Sequence, residues 1–282
     1  MLCEASFGRT GFLLVSLAMF VLSFGSMVGY LMVVKDTLPP LLGIAPDEAF
    51  LQKIILAASS LIIMVPISSQ RDMADLAKTS TLSVIFDVII VAVVVANAPI
   101  SLSIDEWGWR EAITFVRPNT VFVGLGVLSF AFVCQHSGFI IAGALRSPTP
   151  RRLRTVTSTA LGMCATLATI IGVTGYLGFL EETEGNILNN LDDKSVAANV
   201  ARALLCTCMF FVYPMESFVA RHVSIVLLFE GRSAHKGDDH TVLARTDRRI
   251  LLTLALYLLA LVPAIIFEDL GKVLALTGAV GG

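Results

Sequence analysis

Long apolar runs separated by short polar connections divide the sequence. Seven runs cover about residues 11–34, 50–68, 80–98, 119–145, 155–179, 196–228 and 250–267. A further run begins at Gly271. Each of the seven is close to or above the roughly 20 residues that an α-helix needs to cross a hydrocarbon core about 30 Å thick. The pattern therefore predicts seven or eight membrane helices.

Composition favours a lipid bilayer over water as the surroundings of the fold. Hydrophobic residues make up 56% of the 282 residues and charged residues only 15%, which leaves too few polar groups to cover a water-soluble globule. A membrane β-barrel would need strands that alternate apolar and polar residues, whereas the segment 85–96 is apolar on every face apart from Asp87. The expected fold class is all-α membrane, a polytopic helical bundle, because a helix satisfies its own backbone in lipid.

The distribution of lysine and arginine predicts the orientation of the helices. Cytoplasmic connections carry an excess of these two residues. With the N-terminus inside, the inner segments 1–10, 69–79, 146–154 and 221–249 hold thirteen of them, and the outer connections hold six. We therefore expect the first helix to run outward from the cytoplasm.

The sequence gives no sign of an enzyme, a cofactor or a nucleic-acid partner. Its net charge is −2, so it offers no strongly basic surface for nucleic acid. It contains no Gly-x-Ser-x-Gly, no phosphate-binding loop and no His-Glu-x-x-His motif. We expect no catalytic residues, no bound metal and free thiols at all five cysteines, with Cys206 and Cys208 packed in the core. The expected surroundings are the lipid bilayer, and the oligomeric state stays open.

Four charged residues within the apolar runs are functional candidates because charge is costly in lipid. They are Asp87, Arg202, Glu216 and Arg221. Snorkelling of the long side chains toward water is the simpler interpretation of Arg202 and Arg221. Glu216 is harder to explain in that way, and Pro214 is expected to loosen the helix beside it.

The run that contains His136 combines small and polar residues at membrane depth. Between Gly124 and Phe139 it holds three glycines and the patch Cys134–Ser137. Such a composition suits a broken helix, whose unwound backbone lines a cavity and binds a polar solute. It equally suits close packing of helices through glycine and serine. The residues alone leave both interpretations open.

Several motifs in this order resemble the amino acid/auxin permease superfamily, and within it the sodium-coupled neutral amino acid transporters of the solute carrier 38 type. They are Ser129–His136, Pro148–Thr149, Thr174–Phe179 and Tyr213–Arg221. The resemblance covers nearly the whole chain and implies secondary active transport of neutral amino acids by alternating access, as symport with Na⁺ or H⁺.

The resemblance also implies a partial LeuT-like fold of five plus five helices in inverted repeats. This chain would supply helices 3 to 10 and lack helices 1 and 2, as a single domain over 1–282. Residues 1–98 would form helices 3–5 of the first repeat, and 119–282 would form helices 6–10 of the second. The broken helices 1 and 6 hold the solute in such a fold, so we expect residues 1–282 alone not to transport.

The resemblance further implies a substrate site on the broken part of helix 6, with two contributions from helix 3. The helix 6 residues would be Ser129, Phe130, Ala131, Phe132, Cys134, Gln135 and His136, and those of helix 3 would be Ser26 and Tyr30. Sodium-coupled members carry a threonine at the position of Val212, which puts sodium coupling in doubt here. Thr207 and Glu216 are the other ion-coupling candidates, and His136 or Glu216 could carry a proton instead.

Other kinds of membrane protein fit less well. A seven-helix receptor needs its N-terminus outside and the motifs Asp/Glu-Arg-Tyr and Asn-Pro-x-x-Tyr, which do not occur. A membrane enzyme needs clustered His, Asp or Glu at one face of the bilayer, and the sequence shows no such cluster. A non-transporting fragment or an amino-acid-sensing relative of the same fold stays open. The expected location is the plasma membrane or a vacuolar or lysosomal membrane.

Overall fold

The computed structural model is described here for residues 2–44, 48–70, 77–100, 120–134, 149–192, 194–228 and 245–281, and for five single residues between these ranges. Within these ranges the chain forms eight α-helices and no β-strand. The predicted all-α bundle is therefore confirmed for the part of the chain that is described.

The eight helices differ in length. They are α1 (Leu2–Leu41), α2 (Ala49–Ser68), α3 (Ala77–Asn97), α4 (Val121–Phe132), α5 (Pro150–Phe179), α6 (Val196–Leu228), α7 (Thr246–Ile266) and α8 (Leu270–Gly281). All except α4 and α8 are long and apolar enough to cross a membrane. Two 3₁₀ turns, Leu180–Glu182 and Ile187–Asn190, lie between α5 and α6.

Several helices begin earlier than the hydropathy pattern predicted, and the differences are largest for α1 and α5. α1 starts at Leu2 rather than near residue 11, although its backbone leaves the helical region at Gly8. α5 starts at Pro150 rather than near residue 155, because the Thr149 side chain caps it by accepting a hydrogen bond from the backbone N–H of Arg152. Hydropathy marks only the part of a helix that faces lipid, whereas the backbone hydrogen bonds continue into the polar flank.

The run over 119–145 does not form one continuous helix. α4 ends at Phe132, and Val133 has an extended backbone with φ −76° and ψ 119°. Hydropathy alone predicted one span here, since it does not register where a helix ends inside an apolar run, whereas the small and polar residues of this run had left a broken helix open as an interpretation. The carbonyl oxygen of Phe130 accepts a hydrogen bond from the backbone N–H of Val133 at this end, and the last carbonyl groups of a helix in lipid need partners from outside the regular helical pattern.

The centre of the bundle is the interface between α1 and α6, which is the most extensive one in the fold. α2 and α7 pack against α1 and α6 at this interface. The shared core is built from large apolar side chains and one buried tyrosine pair: Met27, Leu31, Met32, Leu56, Met64, Tyr213, Leu256 and Tyr257. A hydrogen bond of 2.8 Å between Ser60 Oγ and Tyr257 Oη joins α2 to α7 at the π-helical turn Ser60–Met64.

A smaller cluster joins α3 to the outer half of α6. Ile90 and Val94 of α3 pack there with Ala198 and Ala201 of α6. Leu188, from the second 3₁₀ turn, completes the cluster and is buried. The connection between α5 and α6 is thus part of the packed structure.

Small residues allow α8 to lie very close to both α1 and α4. On the α1 side, Gly25 faces the Thr277 side chain, and a Cβ atom on Gly29 would lie 2.8 Å from Cδ2 of Leu274. On the α4 side, Gly126 faces the backbone of Ala275, and a Cβ atom on Gly278 would lie 2.7 Å from the backbone nitrogen of Phe130. Close backbone approach through small residues is the usual way in which helices associate in lipid.

The outward faces of the spanning helices are apolar and exposed. Examples from four of these helices are Leu14, Ile62, Val88 and Leu251. Surfaces of this kind suit contact with lipid chains. The chain is therefore an integral, multi-pass membrane protein.

The packing of α8 against α4 predicts a difference between two glycines of α4. Gly126 lies against the α8 backbone, whereas nothing lies within 4 Å of the position of a Cβ atom on Gly124. Gly126→Leu should lower the free energy of unfolding by about 1–3 kcal/mol, because the larger side chain forces the helices apart. Unfolding of the purified protein in a mild detergent, followed by circular dichroism, measures the change.

Gly124→Leu is the matched control, since it adds the same side chain two residues away on the same helix. It should leave stability unchanged or raise it slightly, because glycine inside a helix is unfavourable by roughly 0.5–1 kcal/mol relative to alanine. Equal destabilisation by both substitutions would contradict the contact between α4 and α8.

Candidate functional site

The residues predicted for the broken helix lie at the end of α4. Ser129 and Phe130 are half-buried, and Ala131, Phe132 and Cys134 are exposed. Gln135 and His136 lie outside the described residues, so their predicted roles stay predictions. Within the described part of this segment, Ser129, Phe130 and Val133 are half-buried, and Phe130 lies beside Gly278 of α8.

Neighbouring residues of α8 connect this segment with α1. Gly278 approaches Phe130 of α4, and Thr277 approaches Gly25, the residue before Ser26. The two predicted halves of the substrate site therefore lie at one level of the bundle, near the middle of the α1 span Phe7–Leu41. α8 contacts both of them.

Ser26 and Tyr30 lie one helical turn apart on α1. Ser26 is buried, and its hydroxyl donates a 2.8 Å hydrogen bond to the carbonyl oxygen of Leu22. The oxygen lone pairs of Ser26 are still able to accept a hydrogen bond. Tyr30 is half-buried and lies within electrostatic reach of the Glu216 carboxylate on α6. The structure thus brings a predicted substrate residue and a predicted ion-coupling residue together across the interface between α1 and α6.

The other two ion-coupling candidates also lie on α6 and are half-buried. Val212 has no side-chain oxygen. The Thr207 hydroxyl donates a 2.8 Å hydrogen bond to the carbonyl oxygen of Ala203 in its own helix. Five residues separate the two positions, so they lie on different faces of α6.

Asp87 of α3 is exposed on its helix, and the Cys208 thiol of α6 lies near its carboxylate. Cys208 also lies 3.7 Å from the carbonyl oxygen of Ser83 and is fully buried, as is Cys206. The expectation that both thiols are free and packed in the core is confirmed. Within the described ranges, no group of three His, Cys, Asp or Glu side chains could hold a metal ion.

Arg202 does not snorkel to water, which corrects the simpler interpretation of this residue. Its side chain is only 1% exposed. The guanidinium donates hydrogen bonds of 2.9 Å to the carbonyl oxygens of Leu188 and Leu191, and one of 3.0 Å to Asn199 Oδ1. Arg202 therefore anchors the second 3₁₀ turn to the N-terminal part of α6.

Arg221 likewise stays inside the protein, near the C-terminal end of α6. Its side chain is buried, and the guanidinium donates to the carbonyl oxygens of Ser68 and Gln70 and to Thr253 Oγ1. Arg249 of α7 donates to the neighbouring carbonyl of Ser69. These arginines neutralise the unpaired carbonyl groups at the C-terminal end of α2 and join α2, α6 and α7.

A family model described as transmembrane amino acid transporter protein matches residues 1–282. The chain belongs to this transporter family. A relative from Mus musculus named "Putative sodium-coupled neutral amino acid transporter 11" is 30% identical over 282 residues, covering 98% of this chain and 59% of the relative. Vacuolar amino acid transporter 2 of Saccharomyces cerevisiae is 29% identical over 284 residues, covering 98% and 59%.

Sodium-coupled neutral amino acid transporter 7 of Danio rerio is 26% identical over 279 residues and covers 93% of this chain and 58% of the relative. The chain spans about six tenths of the length of these curated relatives. No solved structure matches it. The predicted family is confirmed, and it is a family of transporters rather than enzymes. The inverted-repeat arrangement stays a prediction.

Two features of the structure were not predicted from the sequence: the close contacts of α8, and the carbonyl partners of Arg202 and Arg221. Thr277 and Gly278 lie in the short α8, which the hydropathy pattern identified only by its beginning at Gly271. The Thr-Gly pair within an apolar run was the available signal, since small residues mark close helix contacts in lipid. The carbonyl partners of Arg202 and Arg221 gave no signal, because any backbone carbonyl can fill that role.

The anchoring role of Arg202 predicts a local effect on the outer connection. Arg202→Met keeps a long side chain but leaves the carbonyl oxygens of Leu188 and Leu191 without this donor. Losing a partner of a buried acceptor is unfavourable by about 1–3 kcal/mol. Hydrogen–deuterium exchange should accelerate in the peptide that contains Ile187–Asn190. Arg154→Met, at an exposed arginine of α5, should change nothing there, and equal exchange in the two variants would contradict the anchor.

Proposed function

We propose that the full-length protein containing this chain carries neutral amino acids across a membrane by alternating access. Membership of the transporter family supports the general activity. The observation that carries the proposal is the mid-membrane level at which α8 joins the end of α4 to α1 beside Ser26, with Glu216 of α6 within electrostatic reach of Tyr30 one turn away. Polar groups gathered at this depth are typical of the solute site of a secondary transporter.

The chemistry of this level suits the charged groups of an amino acid. The Ser26 hydroxyl uses its proton within α1, so it can only accept, as an ammonium group requires. The substrate carboxylate needs donors, and backbone or side-chain groups beyond the end of α4 are the proposed source. Half-buried Phe130 would contact an uncharged substrate side chain, which favours neutral amino acids.

The coupling ion in this proposal is a proton rather than Na⁺. A hard cation needs oxygen ligands, and Val212 supplies none. The Thr207 hydroxyl lies on another face of α6. Glu216, with Tyr30 close to it, and His136 are the proposed proton carriers, and no other cofactor is required. A proton-driven carrier suits an acidic vacuolar or lysosomal membrane, although the plasma membrane is compatible as well.

Uptake measurements test both the activity and its coupling. Full-length protein in vesicles should take up radiolabelled glutamine or alanine in a saturable and stereoselective way, and the uptake should persist when choline replaces Na⁺. Val212→Thr restores the missing oxygen and should make uptake more sodium-dependent. A loss of about tenfold or more in choline, equivalent to roughly 1.4 kcal/mol of coupling, would contradict proton coupling. Stereoselective binding without uptake would instead support an amino-acid sensor.

A further inference from the structure

A cavity of about 400 Å³ lies between the outer ends of α1, α2 and α7. Its charged and polar lining comes from Lys35, Asp36, Gln52, Lys53 and Glu268. Apolar lining comes from Ala49, Ile265 and Ile266. The volume falls at the lower end of the roughly 300–1,000 Å³ range of small-molecule sites. The cavity is separate from the mid-membrane level, since Lys35 lies nine residues, or about 14 Å, beyond Ser26 along α1.

Of these charged side chains, Lys35 is held in place by hydrogen bonds to a second helix. The Lys35 ammonium donates hydrogen bonds of 3.0 Å and 2.6 Å to the carbonyl oxygens of Ala264 and Phe267, at the C-terminal end of α7. A cation at this end of a helix is favourable because the unpaired carbonyls carry partial negative charge. Lys35 therefore ties α1 to α7 and gives the cavity a defined wall.

In the described part of the chain, three of the charged side chains that line the cavity are not paired with one another. Lys53, Asp36 and Glu268 form no ion pair within 4 Å in the described part of the chain, although each lies near Lys35 or beside it in sequence. The adjacent Asp269 differs, since Lys272 Nζ lies 2.9 Å from its carboxylate. The hydrogen bond from Lys272 lowers the pKa of Asp269. Asp269, the carboxylate that is paired with a lysine, thus does not line the cavity.

Charges of both signs exclude simple ions as good occupants. A lone anion would face Asp36 and Glu268, with Glu184 of the outer connection also close to Asp36. A lone metal cation would face Lys53 beside Lys35. A molecule that carries an ammonium and an acidic group a few atoms apart can pair each of its charges with a side chain of opposite sign. Hydrogen bonds that involve charged groups are stronger than those between neutral groups.

We propose that this cavity binds a zwitterion, with its ammonium at Asp36 and Glu268 and its acidic group at Lys53. Two sources have this chemistry: a free amino acid, and the headgroup of phosphatidylethanolamine. Exposed Ile54, Ile266 and Phe50 near the cavity place its rim where lipid and water meet. The proposal does not depend on transport, and its test measures the cavity alone.

The test uses a single cysteine in the cavity wall. Ala49→Cys is introduced into the chain after the native cysteines have been replaced, and the protein is placed in nanodiscs of phosphatidylglycerol. The rate of modification by a charged maleimide is then measured with and without L-alanine. The same rate is measured in phosphatidylethanolamine nanodiscs without amino acid. At ligand concentrations near ten times Kd the rate should fall about tenfold, because the site is then free about a tenth of the time.

Protection by L-alanine identifies a free amino acid as occupant, and slower labelling in phosphatidylethanolamine identifies the lipid headgroup. Either result supports the zwitterion site. Lys53→Gln and Asp36→Asn should each remove the protection, whereas Lys194→Gln, at an exposed outer lysine, should leave it intact. A control cysteine at exposed Thr183, outside the cavity, should be modified by the maleimide at the same rate with and without L-alanine and in both kinds of nanodisc. No protection in either arm, equal protection by acetate alone, or protection that survives both cavity substitutions would overturn the proposal.

Discussion

The structure depends on one constraint, which is that every polar group inside lipid needs a partner within the protein. An unpaired polar group in hydrocarbon is unfavourable by several kcal/mol. Hydroxyl groups meet the constraint by bonding to a carbonyl four residues earlier in the same helix, as in Ser26, Thr207 and Thr277. Arg202, and Arg221 through its two Nη groups, meet it by donating to carbonyl groups that helix ends and turns leave unpaired.

The same constraint explains why the proposed substrate level lies where it does. Glycines let α8 approach α1 and α4 at the backbone, and such contacts replace the hydrophobic effect that is absent between helices in lipid. Where α4 ends at Phe132, its last carbonyl groups need partners that a continuous helix would have supplied. A polar solute can supply these partners. The end of α4 and a binding site beside it therefore follow from the same requirement, which is that each carbonyl group in lipid has a hydrogen-bond partner.

The spanning helices could be predicted from sequence because lipid demands a long apolar run for each one. The burial of Cys206 and Cys208 was predictable for a similar reason, since both lie in such a run. A break in this run was one of the interpretations that its small and polar residues left open, but the residue at which α4 ends was not predictable, because Phe132 and Val133 are both apolar. The buried positions of Arg202 and Arg221 were missed because their partners are backbone carbonyls, 11 residues away for Leu191 and 153 away for Ser68.

The central claim is that an amino acid is held at the level of Ser26, and uptake by two serine variants of α1 tests it most directly. Ser16 and Ser26 are both buried on this helix, but only Ser26 lies at the level where α4 and α8 meet α1. In vesicles with matched amounts of folded full-length protein, Ser26→Val should reduce uptake of radiolabelled glutamine about tenfold or more, equivalent to roughly 1.4 kcal/mol. Ser16→Val should leave it nearly unchanged. Equal uptake by the two variants would contradict the claim.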